Sequence, residues 1–135
     1  MITVLITVES RYMVDRSALK KRVETFLSGH VHRKTEVSVT IVGRRKMHVL
    51  NKSYRDIDKP TNVLSFALHE VKEGVEVPHF TTIHSSPDDT LRLGDVVVCY
   101  PIAIEEAAAQ NKMVDVRIAE LVEHGLNHLL GIHHD

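Results

Sequence analysis

Three histidines near the C-terminus have a spacing that suits one metal ion. His124 and His128 are four residues apart, so on a helix their imidazoles project from one face, about one turn apart. Gly131 allows a sharp turn after the helix, and that turn can bring His134 back to the same point. Three neutral imidazoles leave one tetrahedral position open for water, as in catalytic zinc sites. The sequence therefore predicts one Zn²⁺ per chain at the C-terminal end of the last helix, held by His124, His128 and His134.

The same histidines fit the H-E-x-x-H-x-x-G-x-x-H pattern of zinc peptidases, with one difference. Gly125 follows His124, where a zinc peptidase has the glutamate that acts as its general base. The spacing therefore favours a metal hydrolase, while Gly125 opposes peptide hydrolysis by that mechanism. We expect this end of the helix to be apolar all round, and unpaired imidazoles in such a helix would be costly. The aliphatic neighbours are Leu121, Val122, Leu126, Leu129 and Leu130.

A second group of candidates lies in a predicted helix before the middle of the chain. Its basic residues fall at i, i+4, i+8 and i+11, on one stripe: Arg44, His48, Lys52 and Arg55. The stripe predicts either a solvated charged face or a track for RNA phosphates, which Lys59 would extend and Ser65 could join. We single out Arg55 as the catalytic candidate, because a guanidinium bridges phosphate oxygens bidentately and offsets charge in a transition state. The alternative for Arg55 is a surface ion pair with Asp56 or Asp58.

Two further polar residues have open roles. Asn62 could contact RNA or only cap a turn. For Asp95 the sequence favours a structural role over orienting a ligand imidazole.

The elements that must position these residues follow from periodicity and from start and stop signals. Strands are predicted at about residues 1–8, 36–42, 63–68 and 91–100. Helices are predicted from the Asp15 cap to about residue 26, at about 44–55, from Pro101 onward, and at about 114–130. The run Val96-Val97-Val98 indicates a strand buried on both faces. Glu70 to Thr90 predicts a loop or hairpin insertion, and the whole pattern predicts one layer-packed α+β or α/β domain.

Composition sets the limits for function. The 135 residues suffice for one domain, and 43% hydrophobic with 26% charged residues is typical of a soluble globular protein. A net charge of −1 means that RNA binding would need a local basic patch. The apolar stretches are too short to span a bilayer, the N-terminus has no export signal, and Cys99 is the single cysteine. We therefore expect a cytoplasmic protein without membrane contact.

Three motifs, in order, resemble those of the YbeY family of bacterial rRNA maturation factors. The C-terminal signature H-G-x-x-H-L-x-G-x-D-H is matched by His124, Gly125, His128, Leu129, Gly131 and His134. The signature YR-x-x-D-K-P-T-[DN]-V-L-S-F is matched by Tyr54, Arg55, Asp58 and every position from 59 to 66. The third, L-G-D-[IV]-V-[IV], is matched at positions 93–98. One position departs: His133 stands where the family usually has Asp, next to the third ligand.

The resemblance implies a single compact domain, residues 1–135, with a four-stranded mixed sheet flanked by helices, an α+β fold. It also implies a zinc-dependent endoribonuclease specific for single-stranded RNA, acting in 16S rRNA 3′-end maturation and ribosome quality control. We expect a monomer. The implied partners are single-stranded rRNA and small-subunit proteins or assembly factors. Two alternatives remain open: a metzincin-like metal hydrolase with another substrate, and a non-catalytic ribosome-assembly factor whose fold zinc stabilises.

Overall fold

The computed structural model describes residues 1–68 and 90–131. In chain order the elements are β1 Ile2–Val8, α1 Arg16–Ser28, β2 Thr35–Val42, α2 Arg44–Arg55, β3 Val63–Ala67, β4 Leu91–Cys99, α3 Tyr100–Ala109 and α4 Val114–Leu129. The bounds agree with those predicted from periodicity to within two residues. The predicted insertion from Glu70 to Thr90 lies outside the described residues except for Thr90. Within the described ranges, no helix is both long and apolar enough to cross a membrane.

The four strands form one mixed sheet in the order β1-β2-β4-β3. β1, β2 and β4 run parallel, and β3 pairs with β4 antiparallel. The predicted four-stranded mixed sheet and α+β class are therefore confirmed. Among the described strands, β3 lies at one edge of this sheet, which matters for the site described below.

The sheet is covered on both faces, because successive side chains of a strand point to opposite sides. One face carries Val39 and Val96 and packs with the apolar residues of α1 and α4. The other carries Phe66 and Val97 and packs with Met47 and other residues of α2. Val96, Val97 and Val98 are all completely buried, which confirms the prediction made from their continuous apolar run.

Two local signals fix the helices that matter most. Asp15 caps α1 by accepting a hydrogen bond from the Ala18 N–H at 3.0 Å, as predicted. α2 ends at Arg55 because Asp56 adopts a left-handed conformation with φ of 59°. The Asp56 N–H then donates to the Lys52 carbonyl at 3.0 Å, which closes the last turn. Arg55 is thereby the final residue of the helix.

Candidate active site

α4 presents its two histidines on an exposed stripe. His124 and His128 are exposed, while Leu121, Leu126 and Leu129 of the same helix are buried. The expectation that this end of the helix is apolar all round was therefore wrong: its leucines are buried, and the two histidines occupy an exposed side. The prediction that both imidazoles share one face is confirmed. Their ring centroids are 5.1 Å apart, with the ring planes inclined by 74°.

This geometry fits two ligands of one tetrahedral zinc ion. Imidazole nitrogens bind zinc at about 2.0–2.1 Å, which places the centroids of two ligand rings about 5 Å apart. Gly131, just past the helix, has φ of 77°, a conformation suited to the sharp turn predicted there. The third predicted ligand, His134, and its neighbour His133 lie outside the described residues. In residues 1–68 and 90–131, no group of three His, Cys, Asp or Glu side chains could hold a metal.

Gly125 explains why this sequence departs from the peptidase pattern. A Cβ atom placed at Gly125 would lie 2.7 Å from Val96 Cγ1 and 3.1 Å from Val96 Cγ2, closer than packed side chains allow. α4 therefore sits against β4 at this point, and a glutamate would force the helix away from the sheet. The close contact also fixes the height above the sheet of the residues on either side, including His124.

The two histidines line a cleft of about 420 Å³, a volume typical of small-ligand sites. It is lined by Tyr54, Arg55, Thr61, Asn62, Val63, Leu64, Ser65, Ala67, His124, Gly125, His128 and Leu129. α2 and α4 cover opposite faces of the sheet, so the cleft passes over the edge formed by β3. The structure thus brings together four of the predicted site residues, Arg55, Ser65, His124 and His128, from three separate elements.

Arg55 differs from the rest of the basic stripe. It lines the cleft, and its side chain makes no hydrogen bond or ion pair with any residue of the described ranges. The Asp58 carboxylate accepts from His48 Nε2 at 2.7 Å and lies 3.9 Å from Lys52 Nζ. The hydrogen bond from His48, with the nearby charge of Lys52, lowers the pKa of Asp58 below its usual value. The alternative in which Asp58 pairs with Arg55 is therefore wrong.

The remaining predicted RNA-binding residues lie outside the lining of the cleft. Arg44, at the other end of α2, forms an ion pair with Glu105. Lys52 and Lys59 are exposed on the surface. Their predicted contacts with RNA stay predictions.

Glu106 and Arg117, which the sequence did not single out, position Asn62 at one side of the cleft. The Asn62 amide donates to the Glu106 carboxylate at 3.2 Å, and Arg117 Nε donates to the same carboxylate at 3.0 Å. Asn62 is thus tied to α3 and α4, and its side-chain Oδ1 is left as the group that can accept from a ligand. No local pattern could have found this, because the three residues belong to separate segments of the chain.

Asp95 lies on the opposite face of the sheet from the histidines. Its neighbour Val96 faces α4, and strand side chains alternate, so the buried Asp95 carboxyl points toward the α2 side. The side of the sheet that Asp95 faces favours the structural role over orienting a ligand imidazole, and both roles stay predictions. The role favoured from the sequence, a structural one, is consistent with its burial.

Comparison with known proteins identifies relatives along almost the whole chain. Residues 5–135 match the sequence model of a family described as Endoribonuclease YbeY. A protein named Endoribonuclease YbeY from Acinetobacter baumannii is 41% identical over 124 residues, which cover 90% of this chain and 72% of that protein. A protein of the same name from Dehalococcoides mccartyi is 34% identical over 135 residues, covering 98% and 83%. A solution structure of a Thermotoga maritima protein aligns with a TM-score of 0.59 and 26% identity, over 98% of this chain and 75% of that one.

Proposed function

Because the chain belongs to the YbeY family of endoribonucleases, we propose that it cleaves single-stranded RNA in the cleft over β3 with one zinc ion. As a member of this family, the protein is a metal-dependent nuclease. The observation that supports this particular mechanism is that one cleft has metal-binding side chains on one side and a cationic side chain on the other. Paired imidazoles project from α4, and a guanidinium without a protein partner in the described ranges projects from the end of α2.

The α4 side of the cleft would hold the zinc through His124, His128 and His134. Bound there, zinc supplies Lewis acidity toward a phosphoryl oxygen and lowers the pKa of water. Gly125 keeps α4 against β4, so the imidazoles stay at a fixed height above the sheet. The donor set contains nitrogen atoms only, which suits zinc better than magnesium or calcium.

The α2 and β3 side would bind the scissile phosphate. Arg55 donates through its planar guanidinium to non-bridging phosphate oxygens and offsets the charge that develops there. Ser65 lies on the same face of the sheet as Val96, because it pairs with Val96 across β3 and β4. Its hydroxyl can therefore donate to the substrate on the histidine side of the edge. Lys52 and Arg44 lie further along α2 and would contribute to binding of flanking phosphates.

The biological setting proposed for the enzyme follows its family. We propose maturation of the 3′ end of 16S rRNA and ribosome quality control as its role, in contact with small-subunit proteins or assembly factors. The proposal includes a monomeric protein that acts in the cytoplasm.

The decisive experiment measures metal content and RNA cleavage on the same purified protein. One zinc per chain is expected, with cleavage of single-stranded RNA but not of the same sequence as a duplex. A chelator should abolish cleavage, and added zinc should restore it. Cleavage of peptides without cleavage of RNA would establish the metzincin-like alternative. Stoichiometric zinc without cleavage of either substrate would establish the assembly factor.

The adjacent histidines need a separate test. By spacing, His134 is the ligand and His133 is not. His134→Ala should lose zinc and activity, whereas His133→Asp, which restores the usual family residue, should keep both. Retention of zinc by His134→Ala together with its loss from His133→Ala would reverse the assignment.

A further inference from the structure

Four of the five residues of β3 line the cleft: Val63, Leu64, Ser65 and Ala67. In an antiparallel pair, residues alternate between those whose N–H and C=O face the partner strand and those whose groups face away. The Cys99 N–H donates to the Asn62 carbonyl at 2.9 Å, and the register runs on from there with Val63 opposite Val98. This bond sets the alternation along the whole strand.

Because of this alternation, the main-chain groups of every second residue of β3 face away from β4, on the side of the cleft. Leu64 and Phe66 direct their N–H and C=O toward β4, and Val63 and Ser65 direct theirs away from it. Val63 and Ser65 both line the cleft and are only partly buried. In the part of the chain that the structure describes, neither N–H has a hydrogen-bond partner. Two main-chain donors, about 7 Å apart along the strand, therefore face the space between Arg55 and the histidines.

We propose that the edge of β3 that faces away from β4 is a binding surface for the RNA backbone, with the Ser65 N–H donating to a phosphate oxygen. Main-chain N–H groups are regular donors to nucleic-acid phosphates, and Arg55 in the same cleft supplies the charge that draws a phosphate there. The Val63 N–H is the second donor on this edge. Main-chain contacts of this kind carry no information about the bases, so the edge holds a single strand of any sequence. The inference rests on the proposed function, because it concerns the substrate of that cleft.

Proline at position 65 removes this donor together with the hydroxyl and leaves the pairing of β3 with β4 intact. The Ser65 N–H makes no bond to β4, and proline is tolerated on edge strands where its nitrogen faces away from the sheet. Ser65→Ala is the matched control, since it removes the hydroxyl and keeps the N–H. We expect kcat/KM for single-stranded RNA to be at least about 10-fold lower in Ser65→Pro than in Ser65→Ala, the scale of one hydrogen bond to a charged group. Zinc content should be equal in the two variants.

Salt dependence distinguishes this contact from a charged one. A variant that lacks this neutral donor releases as many counterions on binding RNA as the wild type does. Ser65→Pro should therefore leave the slope of log kcat/KM against log salt concentration unchanged. Arg55→Ala should reduce that slope by about 0.7, the value for one phosphate contact on a single strand. A slope reduced equally in both variants would contradict the proposed main-chain contact.

Hydrogen exchange of the unaltered, zinc-loaded protein tests the same donor without a substitution that risks unfolding. The Ser65 and Val63 amides should exchange quickly in the free protein and slow at least about 10-fold with the enzyme's own short RNA products at saturation. Leu64 and Phe66 should be protected in both states. If the wild type cleaves RNA, two results would overturn the inference and leave the proposed function standing. One is equal cleavage rates for Ser65→Pro and Ser65→Ala. The other is an exchange rate of the Ser65 amide that does not change when the products bind. Failure of the wild type to cleave single-stranded RNA would overturn the proposed function itself.

Discussion

The two walls of the cleft are built from different chemistry and held by different means. The α4 wall presents two imidazoles on a helix that is fixed to the sheet by the contact of Gly125 with Val96. The opposite wall presents the Arg55 guanidinium at the end of α2 and the main chain of β3. The first wall suits a cation, and the second suits an anion.

This difference implies that metal binding and substrate binding can be changed one at a time. The walls lie on opposite faces of the sheet and meet only across the edge of β3. A substitution on one wall should therefore leave the ligand of the other wall in place. The predictions below test that separation, starting with the largest expected effect.

Removal of a ligand from the α4 wall should abolish both metal binding and catalysis. His128→Ala should lose stoichiometric zinc and reduce RNA cleavage by more than about 100-fold, because two ligands do not hold a catalytic metal in place. The melting temperature should fall toward that of the chelated wild type, since zinc binding adds to folding stability. Metal analysis, cleavage rates and calorimetry on one preparation provide the check.

His30 offers a matched control for that substitution. It is an exposed histidine whose ring stacks on Phe26 and whose Nδ1 lies 2.9 Å from the Phe26 carbonyl, away from the cleft. His30→Ala should keep zinc and activity. Full zinc occupancy in His128→Ala would remove this residue from the metal site.

Removal of the cation from the opposite wall should spare the metal. Arg55→Ala should reduce kcat by about 100-fold, the scale of losing one charge partner of a transition state, with zinc content and melting temperature unchanged. Lys52→Ala, from the same helix, should raise KM and change kcat little, because Lys52 lies outside the cleft lining. Equal kcat values for Arg55→Ala and the wild type would remove Arg55 from the mechanism.

A change in the packing of α4 against the sheet should lower the zinc affinity without removing a ligand. Gly125→Ala places a methyl group 2.7 Å from Val96 Cγ1, so the Val96 side chain or the helix must shift. Overpacking of this kind costs about 1–3 kcal/mol, and we expect zinc affinity to fall about 10-fold.

The double variant Gly125→Ala with Val96→Ala removes both Val96 Cγ atoms and should recover most of that affinity. Val96→Ala alone measures the cost of the cavity. If the zinc affinity of the double variant is only the sum of the two single effects, the contact does not position the histidines.

The smallest expected effect concerns Asp58, outside both walls. Its pKa is lowered in the folded protein, chiefly by the hydrogen bond from His48. The carboxylate therefore stabilises the fold at pH values above the usual 3.8 of an aspartate, and this contribution disappears as the pH falls below 3.8 through the lowered pKa. The wild type should melt slightly above Asp58→Asn at neutral pH, and the difference should vanish in acid. A difference that persists in acid would mean that the Asp58 charge is not its source.

Local features of the site could be predicted from the sequence because their signals lie within one or two turns of chain. The Asp15 cap, the end of α2 at Arg55 and the shared face of His124 and His128 all depend on neighbouring residues. The sheet order could not be predicted, because periodicity reports which face of a strand is buried and not which strand lies beside it.

The errors have one physical cause, which is that partners are chosen by tertiary packing. The leucines of α4 suggested an apolar helix, but only the fold shows that they all face the sheet while His128 faces the cleft. Asp58 could pair with Arg55 by proximity in sequence, yet the left-handed Asp56 leads the chain away and Asp58 meets His48 instead. The link from Glu106 to Asn62 spans two elements and leaves no trace in either segment alone.

The order of the elements has a consequence for folding kinetics. α4 follows every other described element, and three of the four strands are parallel, so the sheet forms through non-local contacts that close slowly. We expect α4 to dock after the rate-limiting step, because its partner surface does not exist until the sheet has closed. An ion bound between α4 and the residues that follow it would then leave the refolding rate unchanged and lower the unfolding rate. In that case zinc would lengthen the lifetime of the native state without accelerating its formation.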